Sequence, residues 1–158
     1  MKRIILLLFL VPTMLVAQTD AALEAARKKL EARNFAGANA DLSKLIETNP
    51  RNKAAFSLRG QVRMQLRDFY GAIGDFNFAL EIDSTFAEAL NFRGESKINL
   101  GDDEGAISDL DKAIKFSPRY ADAYTNRGFA KYNSEDLQGA YFDFSKALEL
   151  GPADADKY

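Results

Sequence analysis

The stretch TNRGFAKY, residues 125–132, sets an arginine beside a glycine in the middle of what otherwise reads as an amphipathic helix. Glycine inside a helix costs about 1 kcal/mol relative to alanine, and an arginine turned toward a packed face is costlier still unless it is paired. The combination recurs. SLRGQVR starts at Ser57, NFRGESK at Asn91 and TNRGFAK at Thr125, each 34 residues after the last. Gly37, Gly71, Gly105 and Gly139 keep the same period and are followed by Ala38, Ala72, Ala106 and Ala140. Asp41, Asp75, Asp109 and Asp143 stay in step, as do Leu42, Phe76, Leu110 and Phe144. A fixed period in this range marks an array of supersecondary units, each too small to bury its own apolar face. Four copies result, at 19–52, 53–86, 87–120 and 121–154.

Each copy divides into two helices, A and B. Asn34, Asp68, Asp102 and Asp136 stand mid-repeat as N-caps for the B helices. Asn49, Asp83, Ser117 and Gly151 hold one position near the repeat boundary and read as N-caps for the A helices. Pro50, Pro118 and Pro152 would then fall at the first helical position, where proline is welcome. Apolar residues such as Phe69, Ile73, Phe76 and Leu80 recur at helical spacing.

This pattern resembles the tetratricopeptide repeat family, whose signature is a large residue, then Gly or Ala, then Ala, an aromatic, Ala and Pro at fixed offsets. The third repeat shows Leu90, Gly94, Ala106, Leu110, Ala113 and Pro118, and the fourth Tyr124, Gly128, Ala140, Phe144, Ala147 and Pro152. The second matches at Phe56, Gly60, Ala72, Phe76 and Ala79 but has Ser84 in the proline position. The first is weakest, with Ala22 in the large position and Leu45 in a small one, while Ala26, Ala38, Leu42 and Pro50 fit. The resemblance covers nearly all of residues 18–158 and implies an all-α, right-handed α-solenoid of four helix-turn-helix repeats.

Within that frame Gly60, Gly94 and Gly128 lie where helix A meets the small residue that opens helix B, letting the backbones approach. Arg59, Arg93 and Arg127 are expected to form ion pairs with Asp75, Asp109 and Asp143 of the paired helix, with Arg63, Lys97 and Lys131 as a supporting row. The competing reading is a basic stripe for an acidic ligand, and the Asp residues in step weigh against it.

In the resembled family the A helices line a concave groove that holds a peptide or a partner's helix. Carried onto this chain, the groove would present Ser57, Gln61, Met64 and Gln65, then Asn91, Glu95, Ile98 and Asn99, then Thr125, Phe129, Tyr132 and Asn133. Leu23, Arg27, Leu30 and Glu31 would line its start. Asn and Gln both donate and accept hydrogen bonds, which suits an extended peptide backbone. Leu30, Met64, Ile98 and Tyr132 form one apolar rung per repeat, either as side-chain pockets or as packing between repeats. One family role is disfavoured. The carboxylate clamp of chaperone adaptors needs cations, but its positions here read Leu23, Arg27, Leu58, Glu88, Phe92 in one frame and Ser57, Gln61, Phe92, Asp122, Asn126 in the next.

The N-terminus has its own grammar. MKRIILLLFLVPTMLVA, residues 1–17, opens with Lys2 and Arg3, runs apolar from Ile4 to Val16 and reaches the small Ala17. That is the layout of a secretory signal peptide, and its apolar run is short of the ~20 residues that span a bilayer. The expectation is a chain exported past a bacterial inner membrane, periplasmic or secreted, with no stable membrane insertion after cleavage. Cleavage removes two bases and no acid, taking the net charge from −2 to −4. A mildly acidic chain is a poor match for nucleic acid, whose binding neutralises phosphates.

Catalysis finds little footing. The chain has no Cys and no His, which removes thiol nucleophiles, imidazole bases and the zinc sites built from them. Asp102, Asp103 and Glu104 open a B helix, where anions suit the dipole, and they lack calcium-loop spacing. The expectation is no cofactor, no metal and no enzyme, but a scaffold that binds a protein or peptide partner. After the fourth repeat only Ala155 to Tyr158 remain, so the alternative is self-association, or docking on a larger subunit, through the C-terminal repeat.

Overall fold

Four residues placed 34 apart start the B helices in the same way. Asn34, Asp68, Asp102 and Asp136 each accept a hydrogen bond from the backbone N–H three residues on, at 2.9–3.0 Å. Each satisfies a donor that the first helical turn leaves orphaned. A computed structural model describes residues 19–151. The first helix, α1, occupies 19–31. It is followed by α2 (Phe35–Thr48), α3 (Lys53–Gln65), α4 (Phe69–Ile82), α5 (Ala87–Asn99), α6 (Asp103–Phe116), α7 (Ala121–Asn133) and α8 (Leu137–Leu150). All regular structure among the described residues is helical, an all-α solenoid of four antiparallel hairpins. The expected signal at residues 1–17 and the segment from Pro152 to Tyr158 lie outside the described residues.

The A helices start later than their expected caps. Asn49, Asp83, Ser117 and Gly151 terminate α2, α4, α6 and α8, each donating its backbone N–H to the carbonyl four residues earlier. The N-caps of α3, α5 and α7 are Asn52, Phe86 and Tyr120, of which Asn52 accepts a side-chain cap bond from the Ala55 N–H. Pro50 and Pro118 therefore sit just past a helix end, where a ring that cannot continue the helix stops it. The turn from A to B is also periodic. Arg33, Arg67, Gly101 and Glu135 hold positive φ values of 57°, 61°, 80° and 65°. The next N–H closes back onto Lys29, Arg63, Lys97 or Lys131, the left-handed helix stop that glycine favours.

Successive helices pack on one another from α2 to α8, α1 joins α2 through Ala26, Ala38 and Leu42, and α3 also packs on α5 and α5 on α7. The B helices α4, α6 and α8 do not touch one another. The A helices thus line the inner, concave side and the B helices fan across the convex side. Three buried clusters run between them. One joins Leu42 and Leu45 to Leu58 and Val62 of the next hairpin, the second centres on Phe76, the third on Leu110.

The helix-centre glycines answer to those core side chains. A Cβ on Gly60 would stand 2.6 Å from the Phe76 ring, one on Gly94 2.8 Å from Leu110 Cγ, and one on Gly128 2.7 Å from the Phe144 ring. The space is reserved for the large residue two turns into helix B rather than for Ala72, Ala106 or Ala140. In the first hairpin the same position is Ala26, opposite Leu42.

Candidate functional site

Each arginine beside a helix-centre glycine points away from the groove. Arg59 donates Nε and Nη2 to the two carboxylate oxygens of Asp75 at 3.0 and 2.7 Å. Arg93 does the same to Asp109 at 2.8 and 2.5 Å, and Arg127 to Asp143 at 2.8 and 2.6 Å. Arg63, Lys97 and Lys131 approach the same carboxylates at 2.9, 2.8 and 2.8 Å. Burial alone would raise the Asp109 and Asp143 carboxyls, but the hydrogen bonds from these cations outweigh it and hold both below the ordinary carboxylate value. The third arginine nitrogen crosses to the preceding hairpin. Nη1 of Arg59 donates to Ser43 Oγ at 3.2 Å, that of Arg93 to Asn77 Oδ1 at 2.7 Å, and that of Arg127 to Asp111 Oδ1 at 2.6 Å. The row is structural, joining each hairpin internally and to its predecessor. The first hairpin has Ala25 in the arginine position, and Lys29 pairs with Asp41 at 2.5 Å instead.

The concave face carries two clefts that share Gln61 and Phe92. The larger, about 690 Å3, is bordered by Arg27, Gln61, Phe92 and Glu88 and closed by Tyr120 and Asp122. The smaller, about 310 Å3, runs from Leu30 and Glu31 to Gln65 and Glu95. Phe92 is fixed by stacking on Phe76 at 6.1 Å between ring centres. Gln61 Nε2 donates to Glu88 Oε1 at 2.8 Å.

Both signs of charge line the larger cleft, Arg27 and Arg119 with Glu88 and Asp122, and Glu95 borders the smaller cleft beside it. Burial and the neighbouring Asp122 push the Glu95 carboxyl above its ordinary value. Burial, then Glu88 and Asp122, push the Tyr120 hydroxyl well above the usual tyrosine range, against a smaller opposing hydrogen bond with Asn91. Arg27 and Arg119 stand exposed, whereas Glu88 and Glu95 are half-buried. A ligand reaching inward therefore meets negative charge beside aromatic carbon.

The residues expected to line the groove divide into several groups. Gln61, Gln65 and Glu95 border the clefts. Asn99 and Asn133 are exposed on the same helices, Asn99 donating to the Glu95 carbonyl and Asn133 to Asp103 Oδ1. Ser57 and Asn91 do not face the groove. Both are 1% exposed, because their position packs beneath the next A helix, where Asn91 Oδ1 accepts from Asn126 Nδ2 at 3.0 Å. Thr125 is half-buried and donates to the Ala121 carbonyl. Met64 and Ile98 pack into the cores between repeats, as does Leu30. Phe129 and Tyr132 are 51% and 60% exposed. They hold the positions of Gln61/Glu95 and Met64/Ile98, but no following A helix is described against them. Phe92 and Tyr120 enter the cleft unexpectedly, since the rejected clamp frame had placed Phe92 on the groove without giving it a use.

Residues 94–135, from the middle of α5 through α6 and the whole of α7, match the family model described as TPR repeat. Solved structures share the fold over most of the chain. MamA is 21% identical with a TM-score of 0.75, over 84% of this chain and 77% of that one. PilF of Pseudomonas aeruginosa is 24% identical with a TM-score of 0.79, over 84% of this chain and 61% of that one. The first TPR of Spaghetti (RPAP3), solved with the HSP90 peptide SRMEEVD, is 20% identical with a TM-score of 0.69, over 76% of this chain and 93% of that one. No curated protein matches the chain. No helix among the described residues is long and apolar enough to cross a membrane.

Proposed function

We propose that the chain is a non-enzymatic interaction scaffold or adaptor of the bacterial cell envelope, exported by cleavage after Ala17 and working as residues 18–158. It binds an extended segment or helix of a partner protein in the concave groove, as a tetratricopeptide fold allows. The observation that carries this reading is the pair of clefts meeting at Gln61 and Phe92 on the A-helix face. Gln61 and Gln65 edge the smaller with amide groups able to bond a peptide backbone in both senses, and Glu95 and Glu88 stand half-buried in the smaller and the larger respectively. The RPAP3 domain takes an acidic peptide. Glu88 and Glu95 are half-buried where Arg27, Arg119 and Asp122 stand exposed at the rim, so they would repel an acidic side chain reaching inward, and the inward-pointing residues of the partner segment are neutral or basic.

The test is affinity capture from a cell-envelope extract with three baits: residues 18–158, a Gln61→Arg, Glu95→Arg variant, and a Leu148→Asp variant. A partner kept by the first and third and lost by the second supports the groove. Equal recovery on the first two overturns it. Mass spectrometry of the mature protein from the envelope fraction should give Gln18 as its first residue; a retained Met1 there would replace cleavage with an uncleaved anchor, and recovery only from the cytoplasm would sink the export reading.

A second reading, assembly through the last hairpin, rests on the exposure of Tyr141, Phe142 and Leu148 on α8. It predicts concentration-dependent association that Leu148→Asp abolishes.

A further inference from the structure

The two ends of the array differ in chemistry. Leu58 and Val62 of α3 pack into the first hairpin. Their counterparts one repeat earlier are Glu24 and Lys28, both exposed, so the outer face of α1 is polar at the positions that would stack on another hairpin. The far end is apolar. Ile46, Leu80 and Ile114 share one repeat position, and each packs against the core that its hairpin shares with its neighbours. The fourth member of the series, Leu148, is 84% exposed. Tyr132 completes the series of Leu30, Met64 and Ile98 in the same way. The exposed face of α7 and α8 therefore corresponds to the repeat–repeat interface, with no further helix against it among the described residues. A head-to-tail second copy would set Glu24 and Lys28 against it, two charged residues where the interior interface has Leu58 and Val62, and burying both would cost their desolvation.

The sequence of α8 identifies what the face is shaped for. Gly139, Ala140, Asp143, Phe144, Ala147, Leu148 and Glu149 repeat Gly71, Ala72, Asp75, Phe76, Ala79, Leu80 and Glu81 of α4. The helix that covers α4 is α5. It brings the small Ala89, the large Leu90, whose cluster Leu80 of α4 packs against, Phe92 stacked on Phe76, and Arg93, which donates to Asn77 on α4. The residue of α8 in the place of Asn77 is Ser145, and Ser43 in the same position of α2 accepts from Arg59.

We propose that the α7–α8 face is a docking site for an amphipathic helix supplied by a partner protein. That helix carries a small residue followed by a large apolar one, then an arginine three residues further on. It adds to the array as a ninth helix, its large residues on Phe144 and Leu148 and its arginine on Ser145. This face is separate from the groove, so the proposal stands or falls independently of the groove reading.

The probe is a lactam-bridged, fluorescein-labelled peptide with the sequence of residues 87–99, the bridge keeping a 13-residue helix formed. Fluorescence anisotropy with the full chain should show saturable binding. Leu148→Asp in the protein and Phe92→Ala or Arg93→Ala in the peptide should each weaken it, the first by about tenfold or more, and Gln65→Ala in the groove should leave it unchanged. No binding, or binding indifferent to Leu148→Asp, overturns the proposal. Two further results also overturn it by naming another occupant. A chain ending at Gly151 that binds the peptide much more tightly than the full chain assigns the face to residues 152–158. A peptide that binds only by dissociating a dimer assigns it to a second copy.

Discussion

Arg93 grips both carboxylate oxygens of Asp109 within one hairpin while its remaining nitrogen holds Asn77 of the hairpin before. Asp109 is 2% exposed, so its charge is tolerated only because Arg93 and Lys97 neutralise it. Arg93→Ala leaves a buried carboxylate short of its main partner and should cost about 3–5 kcal/mol. Replacing both partners, as Arg93→Met with Asp109→Leu, should cost far less. Urea unfolding of the two variants and the parent checks this. Equal losses for the single and double changes would show that the pair, rather than the stranded charge, carries the energy.

The same carboxylates make stability depend on pH with a definite sign. Asp109 and Asp143 are held below their ordinary value in the folded chain. Their contribution is therefore complete above the unfolded carboxylate value of about 3.9 and is lost as pH falls through the depressed folded value. Urea midpoints measured from pH 7 down to pH 2.5 should hold near neutrality and drop steeply below about pH 4. Asp109→Asn should start less stable and fall more gently. A variant curve parallel to the parent would assign the acid loss to other groups.

Close approach at the helix-centre glycines can be tested with a solution the chain already contains. Gly60→Ala drives a Cβ to 2.6 Å from the Phe76 ring and should cost about 1–3 kcal/mol as overpacking. Ala26 opposite Leu42 fills the equivalent space in the first hairpin, and both are fully buried. Adding Phe76→Leu to Gly60→Ala should therefore recover part of the loss, although Phe76→Leu alone is destabilising. Strictly additive losses in thermal melts would refute the coupling.

How much of this is legible in the sequence follows from what repeats. The 34-residue period places eight helices and the alternation of hairpins, because every copy votes for the same pattern. The start of the A helices is less legible: Asn49 and Asp83 suit either end of a helix, and the proline after Asn49 fits both a first turn and a stop. The groove suffers from the opposite fault. Position alone put Ser57 and Asn91 on the concave side, but the tilt of one A helix on the next buries them. The cross-hairpin acceptors Ser43, Asn77 and Asp111 change chemistry from copy to copy, so their common role shows only in three dimensions.

Leu80 and Leu148 are one residue type at one repeat position in two surroundings, and that pair separates interior from end. Leu80 packs between the second and third clusters, so Leu80→Asp places a carboxylate in a core and should cost about 3 kcal/mol or more. Leu148 is 84% exposed, so Leu148→Asp should stay within about 0.5 kcal/mol of the parent. Urea unfolding at low protein concentration makes the comparison. A large loss from Leu148→Asp under those conditions would mean that the end face is already covered within a single chain. A loss that appears only as protein concentration rises would place a second copy there, and sedimentation velocity on the same samples would then show the parent heavier than the variant.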